Sequence, residues 1–370
     1  MGQTTLFWSQ STDLVPADAV TVSCYVDAIP PFAETELTRL YGHVHSSLAF
    51  FRTSRPTDNV GTYVAWQEDK PIVLLVFRLE NGTIHVLNEF IALDAAEVRR
   101  FAHTVFRAFA SARAIRFPAV QAAVEALPYP YQKHNAKEDW IIDLPAQPDD
   151  YLAKLGRATR DTIKRSRRKT ARDFPSLTHA IIERDAIGED MVRGIIRLSE
   201  ARIAAKKKRF GIDEAETQRI LRLARECGFV SVLSIDGRLA AGMICCRNGT
   251  HCLTEVIAHD PAYNDYQLGT LCYYVTICAS IARGVRTFHM GGGREAYKAR
   301  FLGVRQDMDC LEIYRSWKHL ALIPHRAART ALEGGLRQIK IWLLAREKSA
   351  LTRGVFRALM LLDRLRRRKR

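Results

Sequence analysis

Apolar, β-rich runs bounded by polar turn residues occur at 62–67, 72–79 and 83–91, and again at 229–235, 239–247 and 250–258. Such runs predict β-strands. Each trio runs into a stretch of helical spacing, 95–112 and 269–283, and then into a short apolar run, 114–117 and 285–289. The order strand-strand-strand-helix-strand therefore occurs twice. The copies are offset by 167 residues: Asp69 stands before Asn81-Gly82-Thr83 as Asp236 stands before Asn248-Gly249-Thr250. Asn-Gly between β-rich runs signals a hairpin. The pattern predicts an α/β chain with two twisted mixed sheets in tandem, each flanked by helices. The boundaries fall at 1–148 and 149–320, and a basic amphipathic helical tail fills 321–370.

The copies differ where the third strand ends. In the second, His259-Asp260-Pro261 opens a loop that reaches Gly269, and the apolar helix starts there. Glycine at a strand end lets backbone approach a ligand closely, and the helix start that follows offers unpaired N–H groups and a positive dipole end to an anion. In the first copy Ala92, Leu93 and Asp94 lead straight into the helix without a glycine. That copy reads as degenerate, a packing partner and one wall of an acceptor cleft.

Charge sharpens this division. Residues 1–150 hold 12 Lys/Arg against 18 Asp/Glu, while the whole chain holds 56 against 40, so the basic excess is local to the second part. It collects in the helix 155–172, where Lys and Arg crowd against a single Asp, in the run Lys206 to Arg209, and in 353–370, with eight Lys/Arg and one Asp. Like charges at i, i+4 oppose an isolated helix, so phosphates, a polyanion or an anionic membrane face are the expected partners. The tail has the pattern of a membrane-surface helix. No motif for sequence-specific nucleic-acid readout is present. The eight cysteines lack the paired spacing of a metal site and read as reduced, buried residues, and no metal is expected. Neither a signal peptide nor a spanning helix is read, so the expected location is cytoplasmic, with peripheral contact on the inner membrane face.

Four segments carry a family resemblance: the basic helix LGRATRDTIKRSRRKTAR, the DPAY loop with Gly269, the helix end IARGVRTF, and GGGREAYKARF from Gly291 to Phe301. Together they resemble the GNAT acyl-CoA N-acyltransferase superfamily, and within it the CelD-type acetyltransferases of cellulose and exopolysaccharide biosynthesis, which are related to FemAB. The chain departs from that pattern at His289, where an acidic residue is usual, at Gly292 to Arg294, where an Arg-Gly-Asp-like run is usual, and at Gln267 and Leu268, where Ser and Pro are usual.

The resemblance implies tandem GNAT-like domains, the second catalytic, with acetyl-CoA or another acyl-CoA as donor and an amine or sugar of a cell-envelope or exopolysaccharide precursor as acceptor. It places the donor's arm on the backbone of Val256, Ile257 and Ala258 and its pyrophosphate at Gln267, Gly269 and Thr270. Arg160 and Arg167 stand at its basic positions. Glu255, near the end of an apolar strand, is the first candidate for general base, with a carboxyl pKa expected to be raised by burial. His259 and His289, at strand ends, are alternatives. Tyr297 is a candidate acid for the leaving thiolate, and Lys298 a candidate ligand of phosphate or of an acceptor carboxylate. Two rival readings follow: a FemAB-like transferase using aminoacyl-tRNA, and a non-catalytic membrane-associated accessory protein with the same fold.

Overall fold

The hairpin turns form where the sequence places them. Glu68-Asp69, Asn81-Gly82 and Asp236-Gly237 each put two successive residues at positive φ, the geometry whose twist matches the flanking strands. The computed structural model describes residues 20–54, 57–125, 127–205, 210–293 and 295–345. The basic run Lys206 to Arg209, Arg294 and the tail 353–370 lie outside the described residues.

The first half comprises β1 (Thr21–Tyr25), α1 (Ala33–Tyr41), α2 (Leu48–Ser54), β2 (Val60–Gln67), β3 (Lys70–Glu80), β4 (Thr83–Val86), β5 (Ile91–Leu93), α3 (Ala95–Ala108), β6 (Ala114–Ala122) and β7 (Tyr131–Asp143). The second comprises α4 (Pro148–Lys154), α5 (Arg157–Asp173), β8 (Thr178–Glu183), α6 (Glu189–Ala205), α7 (Glu214–Cys227), β9 (Gly228–Ile235), β10 (Arg238–Asn248), β11 (His251–His259), α8 (Leu268–Ala282), β12 (Thr287–His289), α9 (Tyr297–Arg300) and β13 (Val304–Tyr314). Helices α10 (Trp317–Leu322) and α11 (Pro324–Ala345) follow. The repeat is visible in the topology: β2, β3, β4, α3, β6 and β7 recur as β9, β10, β11, α8, β12 and β13.

All thirteen strands join one mixed sheet. The halves meet by exchanging their last strands. β7, from the first half, lies antiparallel to β12 of the second, and β13, from the second, lies antiparallel to β6 of the first. β7 and β13 then pair with each other along most of their length. α3 packs one apolar face of the first half, and α8, which buries Leu268, Leu271, Cys272, Tyr273, Tyr274, Ile277 and Ile281, packs the matching face of the second. On the opposite face, α1 and α2 of the first half pack with Leu223, Cys246 and Leu253 of the second. Each such aliphatic side chain contributes roughly 1.5–3 kcal/mol by leaving water, so this shared core binds the halves beyond the ladder itself.

All eight cysteines are free. Cys245, fully buried, has its thiol pushed well up by burial, which disfavours a nucleophilic thiolate.

Candidate active site

The sheet opens at one place in the second half. β11 and β12 run parallel and pair only at His251–Thr287, Cys252–Phe288 and Leu253–His289. Beyond Leu253 they part, and β11 continues to His259 bonded to β10 alone. At the start of that free stretch the ladder to β10 skips Glu255: Cys245 faces Thr254 and Ile244 faces Val256. A bulge of this kind re-aims a side chain. Val256, Ile257 and Ala258 thus present one backbone edge without a strand partner among the described residues.

The first half closes the equivalent gap with its own chain. The run 83–91, expected as one strand, breaks after Val86. Buried Asn88 accepts the Val76 N–H at 2.8 Å, Phe90 adopts φ 58°, and β5 returns to pair with β6 at Ile91–Val120. Side-chain capture of a main-chain donor competes with the ladder.

At the start of α8, beyond the loop that follows β11, lies a cavity of about 390 Å³. Gln267 takes the left-handed conformation (φ 54°, ψ 38°) and caps the helix without a side-chain hydrogen bond to it. Thr270 lines the cavity with Gln267, as do Thr159, Thr162, Arg165 and Lys169 of α5 and Arg300 of α9. Helix α5 is clamped to the loop by the Ser166 hydroxyl, which donates to the Tyr266 carbonyl at 2.6 Å, and by Lys169, whose ammonium lies 4.3 Å from the Tyr266 ring centre. Gly269 is dictated by His259: a Cβ at 269 would stand 2.7 Å from His259 Nδ1. His259 in turn pairs through Nε2 with Asn264 Oδ1 at 3.0 Å. Arg160 donates to the Ala153 carbonyl at 2.7 Å, tying α5 to α4, and Arg167 is exposed. Neither lines the cavity. The basic groups that do, Arg165, Lys169 and Arg300, escaped the sequence reading, because the side of α5 that faces inward is set by Ile163, Ser166 and Thr170, a run with little apolar signal.

On the face of the sheet opposite α8 lies a polar cluster drawn from both halves. Glu255 is buried and bonded to Arg219 of α7 at 2.8 Å, and His45 Nε2 stands 3.9 Å from its other oxygen. Here the structure corrects the expected raised pKa. Burial alone pushes the carboxyl up, but the contacts to His45 and the Arg219 charge more than offset it and hold it at about 2. Glu255 is therefore a fixed anion at neutral pH. His45 sits between two carboxylates, with Glu89 3.7 Å from Nδ1, and its side chain is 22% exposed against 8% for Glu255. Glu89 is also paired with Lys137.

Deeper in, His289 Nδ1 lies 2.6 Å from Asp139 of the exchanged strand β7, and its Nε2 lies 3.0 Å from His251 Nδ1. His43 stacks on Phe90 and points Nε2 at Asp139, 3.8 Å away. One ligand-capable atom from each of His43, Asp139 and His289 falls within 4.8 Å of the others, a composition that suits a metal. The hydrogen bonds run from His251 through His289 to Asp139, and His43 Nε2 has no hydrogen-bond partner among the described residues. His43 Nδ1 accepts the His45 backbone N–H at 3.1 Å, so a neutral His43 carries its proton on Nε2, where a ligand lone pair would be needed. Burial, then the neighbouring imidazoles, drive the His43 pKa well down, and burial holds His251 at about 4.

The glycine loop closes the site. Lys298 is 2% exposed and donates to the carbonyls of Gly291 and Gly292 at 2.8 and 2.5 Å, with Glu295 3.9 Å away. Its ammonium is thus engaged by main chain, and burial lowers its pKa. Tyr297 packs against Tyr273 on the α8 face, with ring centres 5.5 Å apart, and burial raises its pKa. Of the candidates for catalysis, Glu255 and His289 therefore stand on one face of the sheet and His259 and Tyr297 on the other. His43, His45, Asp139 and Arg219 joined them only through the fold.

Known proteins resemble the chain in one segment and in fold. Residues 157–299 match the family described as an acetyltransferase (GNAT) domain. No curated protein matches the chain. Among solved structures, FemX is similar over 80% of this chain and 99% of its own, at 8% identity and a TM-score of 0.57, a likeness of fold. The C-terminal domain of a putative lysylphosphatidylglycerol synthetase from Agrobacterium fabrum matches over 79% of this chain and 94% of its own, at 15% identity and a TM-score of 0.47. A tandem GNAT protein from the clavulanic acid biosynthesis pathway matches over 76% and 92%, at 13% identity and a TM-score of 0.35. Residues 157–299 thus match an acetyltransferase (GNAT) domain, and the fold around them is similar to that of FemX.

Proposed function

We propose that this chain transfers an acyl group from acyl-CoA to an amine, or to a sugar, of a cell-envelope or exopolysaccharide precursor. Two observations support the reading: β11 past the bulge at Glu255 has a backbone edge without a strand partner among the described residues, and a cavity lies at the start of α8, the helix that follows it. The residues there suit the donor. A helix start without a side-chain cap, together with Arg165, Lys169 and Arg300, favours phosphate groups. The edge of Val256 to Ala258 suits an amide-bearing arm.

The donor supplies a thioester already activated for transfer. The chain's own part is to hold both partners and move protons. His45 is the side chain we assign to taking the acceptor's proton, since it is more exposed than Glu255 and an imidazole suits that task near neutral pH. Glu255 and Glu89 would hold the imidazolium that results. Tyr297, kept protonated by its raised pKa, is assigned to the thiolate.

The test is binding of acetyl-CoA by calorimetry and by thermal unfolding. Donor at about 100 times its dissociation constant stabilises by roughly 2.7 kcal/mol. No shift at millimolar acetyl-CoA would sink the reading. A second reading rests on the outward side of α5, where Arg157, Lys164, Arg167 and Arg168 are all exposed, more cation than one pyrophosphate needs. It takes aminoacyl-tRNA as donor and predicts tRNA binding that falls steeply with salt, without an acetyl-CoA shift.

A further inference from the structure

Seven large hydrophobic side chains are exposed among the described residues, and six of them lie on two consecutive helices: Trp317 and Leu322 on α10, and Leu332, Leu336, Ile339 and Trp342 on α11. Such concentration is unusual for a water-facing surface, where exposed apolar residues are scattered singly. The arrangement on α11 is inverted. Its inward face carries the polar groups. Arg326 pairs with buried Glu312, the Thr330 hydroxyl donates to the same carboxylate at 2.5 Å, and Arg337 stands 3.3 Å from Glu138. Leu332, Leu336 and Ile339 follow at i, i+4 and i+7 and make one stripe on the outward face. Leu343, near the end of α11, is buried on the docked side, but the stripe of Leu332, Leu336 and Ile339 has no apolar partner in the core and is left for something else.

Charge selects what that is. Helix α11 holds Arg326, Arg329, Arg337 and Lys340 against Glu333 alone. Arg329, 76% exposed, and exposed Lys340 flank the stripe. The chain that follows, 353–370, adds eight Lys/Arg and one Asp. Like charge opposes the folding of that segment back onto α11, and equally opposes a second copy's α11. An anionic surface satisfies both stretches at once. We infer that the outward face of α10 and α11 seats on an anionic lipid bilayer, the helix lying in the interface with its leucines in the acyl boundary and its cations among the headgroups. No helix among the described residues is long and apolar enough to cross a membrane, so the contact is peripheral. This inference does not depend on which donor the active site takes.

Co-sedimentation of the full chain with vesicles tests it. Vesicles of phosphatidylcholine containing about one third phosphatidylglycerol should bind the protein at least about tenfold more than pure phosphatidylcholine, with binding that weakens as salt rises. Leu336→Glu with Ile339→Glu should lower that binding about tenfold while leaving the melting temperature in place, because both side chains are already half in water. Should the double variant melt lower, Leu336→Gln and Ile339→Gln made singly carry the same comparison. Wild-type protein that ignores anionic vesicles overturns the inference, as does undiminished binding by the variants, which would leave 346–370 as the only contact. A dimer that the double variant dissolves, with no vesicle binding, would assign the face to a second copy and overturn it too.

Discussion

A carboxylate buried beside an arginine and an imidazole behaves differently from one buried alone, and Glu255 is the case in point. Its burial was legible from an apolar strand. Its partners were not, because Arg219 lies 36 residues away and His45 comes from the other half of the chain. The consequence is a pH dependence. Glu255 titrates near 2 in the folded chain against an ordinary 4.5, so its contribution is complete above about pH 5 and is lost as pH falls from there through 2. It amounts to on the order of 3 kcal/mol. Glu255→Gln should flatten the stability profile between about pH 5 and 2, measured by urea unfolding, and parallel profiles would refute the assignment. His45→Gln should leave acetyl-CoA affinity unchanged in calorimetry and lower acyl transfer by about 10²-fold or more; equal rates would remove His45 as the proton acceptor. Gly269→Ala should destabilise by about 1–3 kcal/mol, because the new methyl meets the His259 ring. An unchanged melting curve would show that the ring moves aside freely.

At the scale of elements, whatever is encoded locally was readable. Hairpin turns need particular residues at positive φ, and Asn81-Gly82 announces one; at Asn248-Gly249 the hairpin also forms, but with only Gly249 at positive φ. The helix at 155–172 was expected within two residues of Arg157–Asp173. Its rotation was not, because the inward side is marked by Ser166 and Thr170 rather than by leucines; Arg160 and Arg167 rest on the family resemblance alone, and the cavity is lined by Arg165 and Lys169. Nor was the break in the strand at 83–91, which depends on Asn88 reaching a backbone donor in β3. That break matters for function. Because β5 occupies the edge of β6 that its counterpart β12 leaves open, the first half lacks the gap between parted parallel strands that the second half has. Calorimetric titration should therefore find one acetyl-CoA per chain. Two equivalent sites would contradict the closure.

For the whole molecule, duplication could be read from a 167-residue offset, but strand exchange could not, since nothing in β7 or β13 says which sheet each will join. The exchange makes the halves interdependent. A fragment of residues 1–148 would lack β13 and leave β6 an exposed edge, while β7 would have neither of its neighbours. A fragment from 149 onward would lose β7 from between β12 and β13, and with it Asp139, the partner of His289. Unpaired edges of that length favour aggregation over folding. The apolar core shared by α1, α2, Leu223, Cys246 and Leu253 would be cut open as well. The intact chain should therefore unfold in one transition, with calorimetric and van't Hoff enthalpies in agreement, in spite of its two-fold internal repeat. The separated fragments should show no cooperative melt singly and should recover one when expressed together. A first half that melts cooperatively on its own, or two resolved transitions in the intact chain, would mean that each half completes its own sheet, and the shared ladder of β7 and β13 would then have to be abandoned.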